Sequence, residues 1–408
     1  MSEQTRRSLA KGLVFVGAAT LIGNGAAYLL SIVAARVLTP AEFGAYGALL
    51  GILIIISTLS IAVQAMTARR VAVATVNRAE VEGQAIRLSL YVGVSIILVG
   101  LLAAWPLGLI FAIPYAAVAM GLASLGFVVL GTASLGIAQG REEHLRFSIG
   151  FLANGFGRAF VGIAFVLAFR SVIGVTAGLL VGCAVGAVIS YLLICPKAWA
   201  GNLTKDGAAE FGHIAHALLV LFTLTNVDVL LARIFLTENQ SGEYSVGVLL
   251  AKIAFFLPNA IIIVLFPKMT AGDSKRAVLI ATGLTACLGI FVTGFSFFFG
   301  TFVMRILGGA QYVELGSEAW LFALEGSAFA LVQVLLYARL AAQDRRAVLT
   351  VWVALLVLVG IVALWRHNSV AEIVTTVVAV SLVLAVVGLL MGRRNATPGA
   401  VVPIEAAE

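Results

Sequence analysis

Residues 35–47 read ARVLTPAEFGAYG, and residues 232–247 read ARIFLTENQSGEYSVG. The two stretches carry an arginine, a threonine, a glycine and a tyrosine in the same order, and Arg36 lies 197 residues before Arg233. An offset of about half of the 408-residue chain indicates an internal repeat. We therefore predict two related halves, with this motif in the first loop of each.

The composition places both halves in a membrane. Hydrophobic residues make up 62% of the chain and charged residues 11%, with a mean hydropathy of +1.10, whereas soluble domains carry about 25% charged residues. At roughly 30–35 residues for each span and its connection, the chain provides about twelve transmembrane helices. This excludes a membrane-anchored enzyme with a separately folded catalytic domain.

Uninterrupted apolar runs mark the spans. The first half has them near residues 12–35, 43–66, 88–105, 115–138, 147–168 and 172–195, and the second near 214–236, 244–266, 278–300, 317–337, 348–365 and 370–391. We predict an all-α polytopic membrane protein with two six-helix lobes, at residues 1–200 and 201–392, and a disordered cytoplasmic tail at 393–408. Because six is even, both lobes enter the membrane from the same side, as a parallel repeat around a central cavity.

Basic residues set the predicted orientation. With the N-terminus inside the cell, nineteen of the 26 Lys and Arg residues fall at the cytoplasmic side, which agrees with the positive-inside rule. Five fall outside: Arg36, Arg170, Arg233, Arg305 and Arg366. Both termini are then cytoplasmic, and the net charge of +7 reflects topology rather than a nucleic-acid partner.

Four charged residues cannot be assigned to loops: Arg158, Asp228, Lys252 and Glu325. A charge in the bilayer centre costs about 2.5–3.5 kcal/mol on insertion scales, so such residues face a cavity or one another. Counting residues from the span ends predicts that all four converge near the midplane. Asp228 and Lys252 are expected at the same depth and in contact.

Two interpretations of these charges stay open. They form structural ion pairs, or they line a midplane site in which the cations hold an anionic ligand and the carboxylates exchange Na⁺ or H⁺. Asn24, within the first span, is a further candidate for the same site or makes an interhelical hydrogen bond. We expect no catalytic residue, resident cofactor or metal centre.

Two other features concern the helices themselves. Four glycines at four-residue spacing form a small-residue stripe that predicts close helix packing: Gly174, Gly178, Gly182 and Gly186. Pro258 lies inside the eighth predicted span, where it removes a backbone hydrogen bond. It is either a tolerated distortion or a hinge.

Three stretches together resemble a known family. Residues 226–233 (NVDVLLAR), 242–245 (GEYS) and 265–268 (LFPK) look like the start of the second lobe of the polysaccharide-type flippases of the multidrug/oligosaccharidyl-lipid/polysaccharide exporter (MOP) superfamily. Residues 38–46 (LTPAEFGAY) resemble that family's first outer loop. The resemblance implies a secondary transporter in the bacterial cytoplasmic membrane that moves a polyprenyl-diphosphate-linked oligosaccharide by alternating access.

The resemblance also implies partners and alternatives. Its partners are the lipid-linked oligosaccharide, the surrounding membrane lipids and enzymes of glycan assembly. Arg158 and Lys252 could bind the diphosphate, with Arg36 and Arg233 at the outer edge of the cleft. A cation-coupled multidrug antiporter is the alternative transporter, although the first lobe lacks the intramembrane carboxylate that many of these exporters carry. A membrane enzyme acting on lipid-linked sugars is a third hypothesis, which the short outer loops argue against.

Overall fold

A computed structural model describes residues 3–74, 77–194, 205–258, 274–341 and 346–394. In the N-terminal lobe the helices are α1 (Glu3–Val37), α2 (Pro40–Val73), α3 (Arg78–Ile110), α4 (Tyr115–Gly140), α5 (His144–Phe156), a π-helical segment (Gly157–Val161), α6 (Gly162–Phe169) and α7 (Val172–Ile194). In the C-terminal lobe they are α8 (Lys205–Leu224), α9 (Val227–Phe235), α10 (Glu238–Phe256), α11 (Ser274–Gly308), a 3₁₀ helix (Ala310–Ser317), α12 (Ala319–Ala341), α13 (Arg346–Leu364) and α14 (Val370–Arg394).

These elements form twelve membrane-crossing units, so the predicted fold class is confirmed. Eight continuous spans are long and apolar enough to cross a membrane, and the bent pair of α8 and α9 is a ninth. The remaining three units are shorter or less apolar: α1 and α13, with apolar parts at Ile22–Val37 and Val348–Leu364, and α10. The chain is therefore a multi-pass membrane protein. The boundary between the lobes stays a prediction, because residues 195–204 and the tail at 395–408 lie outside the described residues.

The repeated motif builds the same local structure in each lobe. Thr39 caps α2 and Thr237 caps α10, each in a reciprocal capping box with the side chain three residues later, Glu42 or Gln240. Such a box satisfies two backbone N–H groups at a helix start. Here the two helices begin side by side. We name this end of the molecule the rim: residues 36–43, 110–115, 233–243 and 305–318.

The seventh span is broken, which corrects the predicted continuous helix at 214–236. Helices α8 and α9 meet at an angle of 46°. Asn226 lies at the break and donates its side-chain amide to the Phe222 carbonyl at 2.8 Å. A side chain that bonds its own backbone in this way competes with the helical hydrogen bonds. The break leaves the start of α9, with Asp228 in its first turn, in the interior of the lobe.

The glycine stripe of α7 faces the fifth span. A Cβ on Gly178 would lie 2.8 Å from the Gly162 Cα, one on Gly182 would lie 2.8 Å from the Arg158 Cα, and one on Gly186 would lie 2.8 Å from the Asn154 Cα. At Gly174, the nearest atom would be the Phe169 Cβ at 2.7 Å. The two helices thus approach closely along the whole stripe, and the π-helical segment lies against its middle.

Pro258 lies just beyond the described end of an element. Helix α10 ends at Phe256, and Pro258 is buried in the turn that follows. Residues 259–273 are outside the described part of the chain, so the role of Pro258 as a hinge stays a prediction.

The orientation of the rim is open to a direct test. We expect a cysteine at Asn239 on the rim to react with a membrane-impermeant maleimide on intact cells, and a cysteine at Glu142 at the opposite end to react only after permeabilisation. Both positions are exposed. The native cysteines are first replaced by serine: Cys183, Cys195 and Cys287. Labelling of both positions from one side would contradict the three spans that separate them.

Candidate functional site

Two acidic side chains and a tyrosine meet inside the C-terminal lobe. Asp228 and Tyr244 are fully buried, and Glu325 is 2% exposed. The Tyr244 hydroxyl donates to Asp228 Oδ2 at 3.1 Å, and the Glu325 carboxyl is close enough to Asp228 for the two groups to interact electrostatically. We call these three residues, with Lys252 and Asn226, the C-terminal polar centre.

Lys252 joins this centre through an amide rather than through a carboxylate. Its Nζ donates to Asn226 Oδ1 at 2.7 Å. The expected direct ion pair with Asp228 is wrong, because the described residues form no such pair within 4.0 Å and the break in the seventh span places the Asn226 amide in front of the lysine. Lys252 still acts on both carboxyl groups electrostatically at longer range.

The paired carboxyl groups are not fully satisfied by the protein. Asp228 Oδ1 and Glu325 Oε2 are buried and have no hydrogen-bond partner. Two carboxylates in contact, away from water, cannot both keep a negative charge unless a proton or a cation lies between them. The pair is therefore suited to binding one small cation or one shared proton.

A small cavity of about 40 Å³ borders Glu325 of this pair. Its lining includes Asn226, Lys252 and Glu325 from the C-terminal lobe, and Ile54 from α2 of the N-terminal lobe. One water molecule needs about 10–15 Å³ by this measure, so the cavity accommodates a few waters or an ion. The centre therefore lies at the interface of the lobes, with room for a coupling ion but not for a large substrate in this conformation.

The N-terminal lobe carries a second, different centre around Arg158. This residue lies on the π-helical segment, a distortion that is frequent at functional sites. Arg158 is close enough to Tyr46 and Cys183 to act on both electrostatically, and Ser31 lies beside Tyr46. The structure thus brings together Asp228, Lys252 and Glu325 and places Arg158 among residues of the other lobe, while the common depth of all four stays a prediction.

The two centres are related by the sequence repeat. Tyr46 and Tyr244 are 198 residues apart, and the side chains beside them, Ser31 next to Tyr46 and Asp228 bonded to Tyr244, are 197 apart. Both tyrosines are buried. A serine in the first lobe thus occupies the position of the aspartate in the second, so the repeat holds a carboxylate on one side only.

The remaining candidates lie away from both centres. Arg36 donates to the Ile306 carbonyl, and Arg233 donates from Nε to the Phe111 carbonyl at 2.8 Å, so both belong to the rim. Asn24 is exposed on α1. None of the three is placed at the two centres.

Comparison with known proteins rests on structure alone, because no protein-family model and no curated protein sequence matches the chain. A multidrug resistance MATE family transporter of the MOP superfamily, in its inward-facing conformation, matches with a TM-score of 0.77 and 14% identity, over 94% of this chain and 98% of that one. The lipid II flippase MurJ, in an inward closed conformation, matches at 0.73 and 11%, over 93% and 87%. An outward-facing MATE transporter matches at 0.67 and 16%, over 94% and 95%.

The chain has the MOP transporter fold. At these identities the likeness concerns the fold, and it includes both drug transporters and a lipid-linked flippase. The substrate of this MOP-fold chain must therefore be argued from its own polar centres.

Within the described residues of this MOP fold, no three His, Cys, Asp or Glu side chains are grouped closely enough to hold a metal ion. The groups that can bind charge are the guanidinium of Arg158 in one lobe and the carboxyl pair of the other. Sequence reasoning missed Tyr46, Tyr244, Ser31 and Asn226 as parts of these centres. The two tyrosines were present in the repeated motif, which was the available signal.

Proposed function

We propose that the protein is a secondary transporter that moves a polyprenyl-diphosphate-linked oligosaccharide across the cytoplasmic membrane by alternating access. The observation that carries the choice of an anionic substrate is Arg158. Its Nε is buried without a hydrogen-bond partner, and the described residues offer its guanidinium no ion pair. An arginine fork of this kind matches the oxygens of a phosphate group, which form charge-assisted hydrogen bonds.

The two lobes have separate tasks in this proposal. Arg158 binds the diphosphate in the N-terminal lobe, and Asp228 with Glu325 binds a proton or a sodium ion in the C-terminal lobe. Lys252 lies beside the carboxyl pair and lowers its net negative charge. Because each centre belongs to a different lobe, movement of the lobes changes the access of both at once, as alternating access requires.

The arrangement of the lobes supports an inward-facing state. The chain matches the inward-facing MATE transporter with a TM-score of 0.77 and the outward-facing one with 0.67. The rim, predicted to face outward, is closed by contacts between the lobes. In this state the centres communicate with the cytoplasmic side, from which a newly assembled lipid-linked oligosaccharide is delivered by glycan-assembly enzymes.

A cation-coupled multidrug antiporter is the second candidate. The buried pair of Asp228 and Glu325 favours it, because buried carboxylates attract organic cations as well as protons. MATE multidrug transporters are among the matching structures. In this alternative the substrate binds in the C-terminal lobe and Arg158 has no direct role.

Reconstitution distinguishes the two candidates. Purified protein is placed in liposomes containing a fluorescent undecaprenyl-diphosphate oligosaccharide, and the flipped fraction is measured by its accessibility to an added glycosidase. We expect flipping of the diphosphate lipid above that of protein-free liposomes, and no uptake of tetraphenylphosphonium under an imposed pH gradient. Uptake of the organic cation without flipping would reject the anionic substrate in favour of the antiporter.

A further inference from the structure

Arg233 crosses from one lobe to the other at the rim. It belongs to α9 and is 7% exposed. Its Nε donates to the Phe111 carbonyl at 2.8 Å and its Nη2 to the Ala112 carbonyl at 2.9 Å. Both carbonyls directly follow α3, so a C-terminal-lobe cation binds the carboxyl end of an N-terminal-lobe helix. That end carries unsatisfied carbonyls and a partial negative charge.

Arg36 makes the reciprocal contact. It lies at the end of α1 and donates to the carbonyl of Ile306, in the last turn of α11. Gln311 adds a bond in the other direction, from Nε2 to the Ala35 carbonyl at 2.7 Å. The C-terminal lobe is thus held at the end of α1, just as the N-terminal lobe is held at the end of α9.

The two contacts are equivalent under the repeat. Arg36 and Arg233 are 197 residues apart. The chain turns with a positive φ at Ala112 (47°) after α3 and at Gly309 (91°) after α11, and these residues are also 197 apart. Each arginine therefore binds the end of the third span of the opposite lobe, next to the same kind of turn. Arginines that stabilised only their own lobe would bind acceptors within that lobe, whereas these two donate to carbonyls of the opposite lobe.

Close backbone packing surrounds the pair. A Cβ on Gly44 would lie 2.8 Å from the Gly242 nitrogen, and a Cβ on Gly242 would lie 2.7 Å from the Pro40 carbonyl carbon. These glycines are repeat partners, 198 residues apart. The rim closes only because neither helix has a side chain at this point.

We propose that Arg36 and Arg233 are a pair of latches that hold the lobes together at the rim and so keep this side of the transporter closed. Their acceptors are neutral carbonyls, which water can replace when the lobes separate. Glu238 belongs to the same lobe as Arg233, and its carboxylate lies 3.7 Å from the Arg233 Nη2. When the lobes separate, Glu238 stays next to the guanidinium and pairs with it. The latches thus resist opening without preventing it.

The latches rest on the alternating-access part of the proposed function, and their test needs no substrate. Val248 lines the cavity below the rim and is 5% exposed. A cysteine at this position, in the protein without native cysteines, reports opening through its rate of reaction with an impermeant maleimide. The reagent is applied to intact cells and, separately, to inside-out vesicles, so that the rim side is identified in the same experiment.

We expect Arg36→Met and Arg233→Met each to raise the rate of labelling from the rim side about ten-fold, since loss of charged hydrogen bonds shifts the closed-to-open ratio by at least that factor. Arg170→Met is the matched control, because Arg170 is an exposed arginine at the same end of the molecule; it should leave the rate unchanged. Gly242→Ala adds a methyl group where the two helices touch at the rim, so it should raise the labelling rate.

If the variant at the buried Arg233 does not fold, Arg36→Met still tests the latch proposal, because Arg36 is exposed. The latch proposal is overturned if Arg36→Met is labelled at the same rate as Arg170→Met. A transport assay that fails while these rates rise would reject the proposed substrate and leave the latch intact.

Discussion

Replacing Arg158 with glutamine will reduce flipping of a polyprenyl-diphosphate oligosaccharide by roughly 10- to 150-fold. The reason is the loss of charge-assisted hydrogen bonds to the diphosphate, each worth about 1.5–3 kcal/mol. Glutamine keeps a polar side chain at the π-helical segment, which limits the disturbance of its packing against α7. The measurement is the initial rate of flipping in proteoliposomes, normalised to the amount of reconstituted protein.

Arg158→Lys and Arg170→Gln serve as controls. The lysine keeps the charge but loses the bidentate geometry, so we expect an intermediate rate. Arg170 is exposed, and its glutamine variant should transport normally. Full activity of Arg158→Gln, together with loss of activity in the carboxyl variants described next, would move the assignment to the cation-coupled antiporter.

Asp228→Asn and Glu325→Gln should each abolish the response of transport to a pH gradient. In the native protein, one transported proton makes a gradient of one pH unit worth about ten-fold in the substrate ratio. Without one carboxyl group, the remaining one has no partner with which to share a proton, so this factor falls to about one. Downhill exchange of substrate should continue, because Arg158 lies in the other lobe.

The experiment compares transport with and without an imposed gradient in the same vesicles. Tyr244→Phe is the matched variant, because it removes the hydroxyl that bonds Asp228 and keeps both carboxyl groups. We expect it to retain coupling. A pH response that persists in both Asp228→Asn and Glu325→Gln would show that the pair does not bind the coupling proton, and a response to a sodium gradient would assign the pair to that ion.

Composition and the repeat were sufficient to predict the twelve helices and two lobes, because lipid excludes any spanning structure with unsatisfied backbone groups except helices and closed barrels. The same logic identified Asp228, Lys252 and Glu325, since ionised groups are rare in membrane spans. Counting residues gives the depth of a side chain but not the direction in which it points. This is why the sequence did not reveal that Arg158 is close to Tyr46 and Cys183.

The contacts of Lys252 could not be predicted from the hydropathy of the sequence. The run from residue 214 to 236 is uniformly apolar enough for a straight helix, and only the side chain of Asn226 interrupts it. Because this break moves an amide in front of the lysine, the predicted ion pair is replaced by a bond to Asn226. Arg36 and Arg233 were likewise assigned to ligand binding, since a sequence does not reveal that a cation is already satisfied by backbone carbonyls across an interface.

Ser31 stands where the second lobe has Asp228, and in the proposed mechanism this difference leaves a single carboxyl pair to couple each cycle. A single carboxyl pair carries one elementary charge, which is worth about 2.3 kcal/mol for each 100 mV of membrane potential. This energy contributes a factor of about 50 per 100 mV to the substrate gradient, in addition to the contribution of the substrate's own charge. A second acidic site in the N-terminal lobe would double the stoichiometry and square that factor. In the proposed mechanism, a serine at this position means that the N-terminal lobe adds no second coupling site.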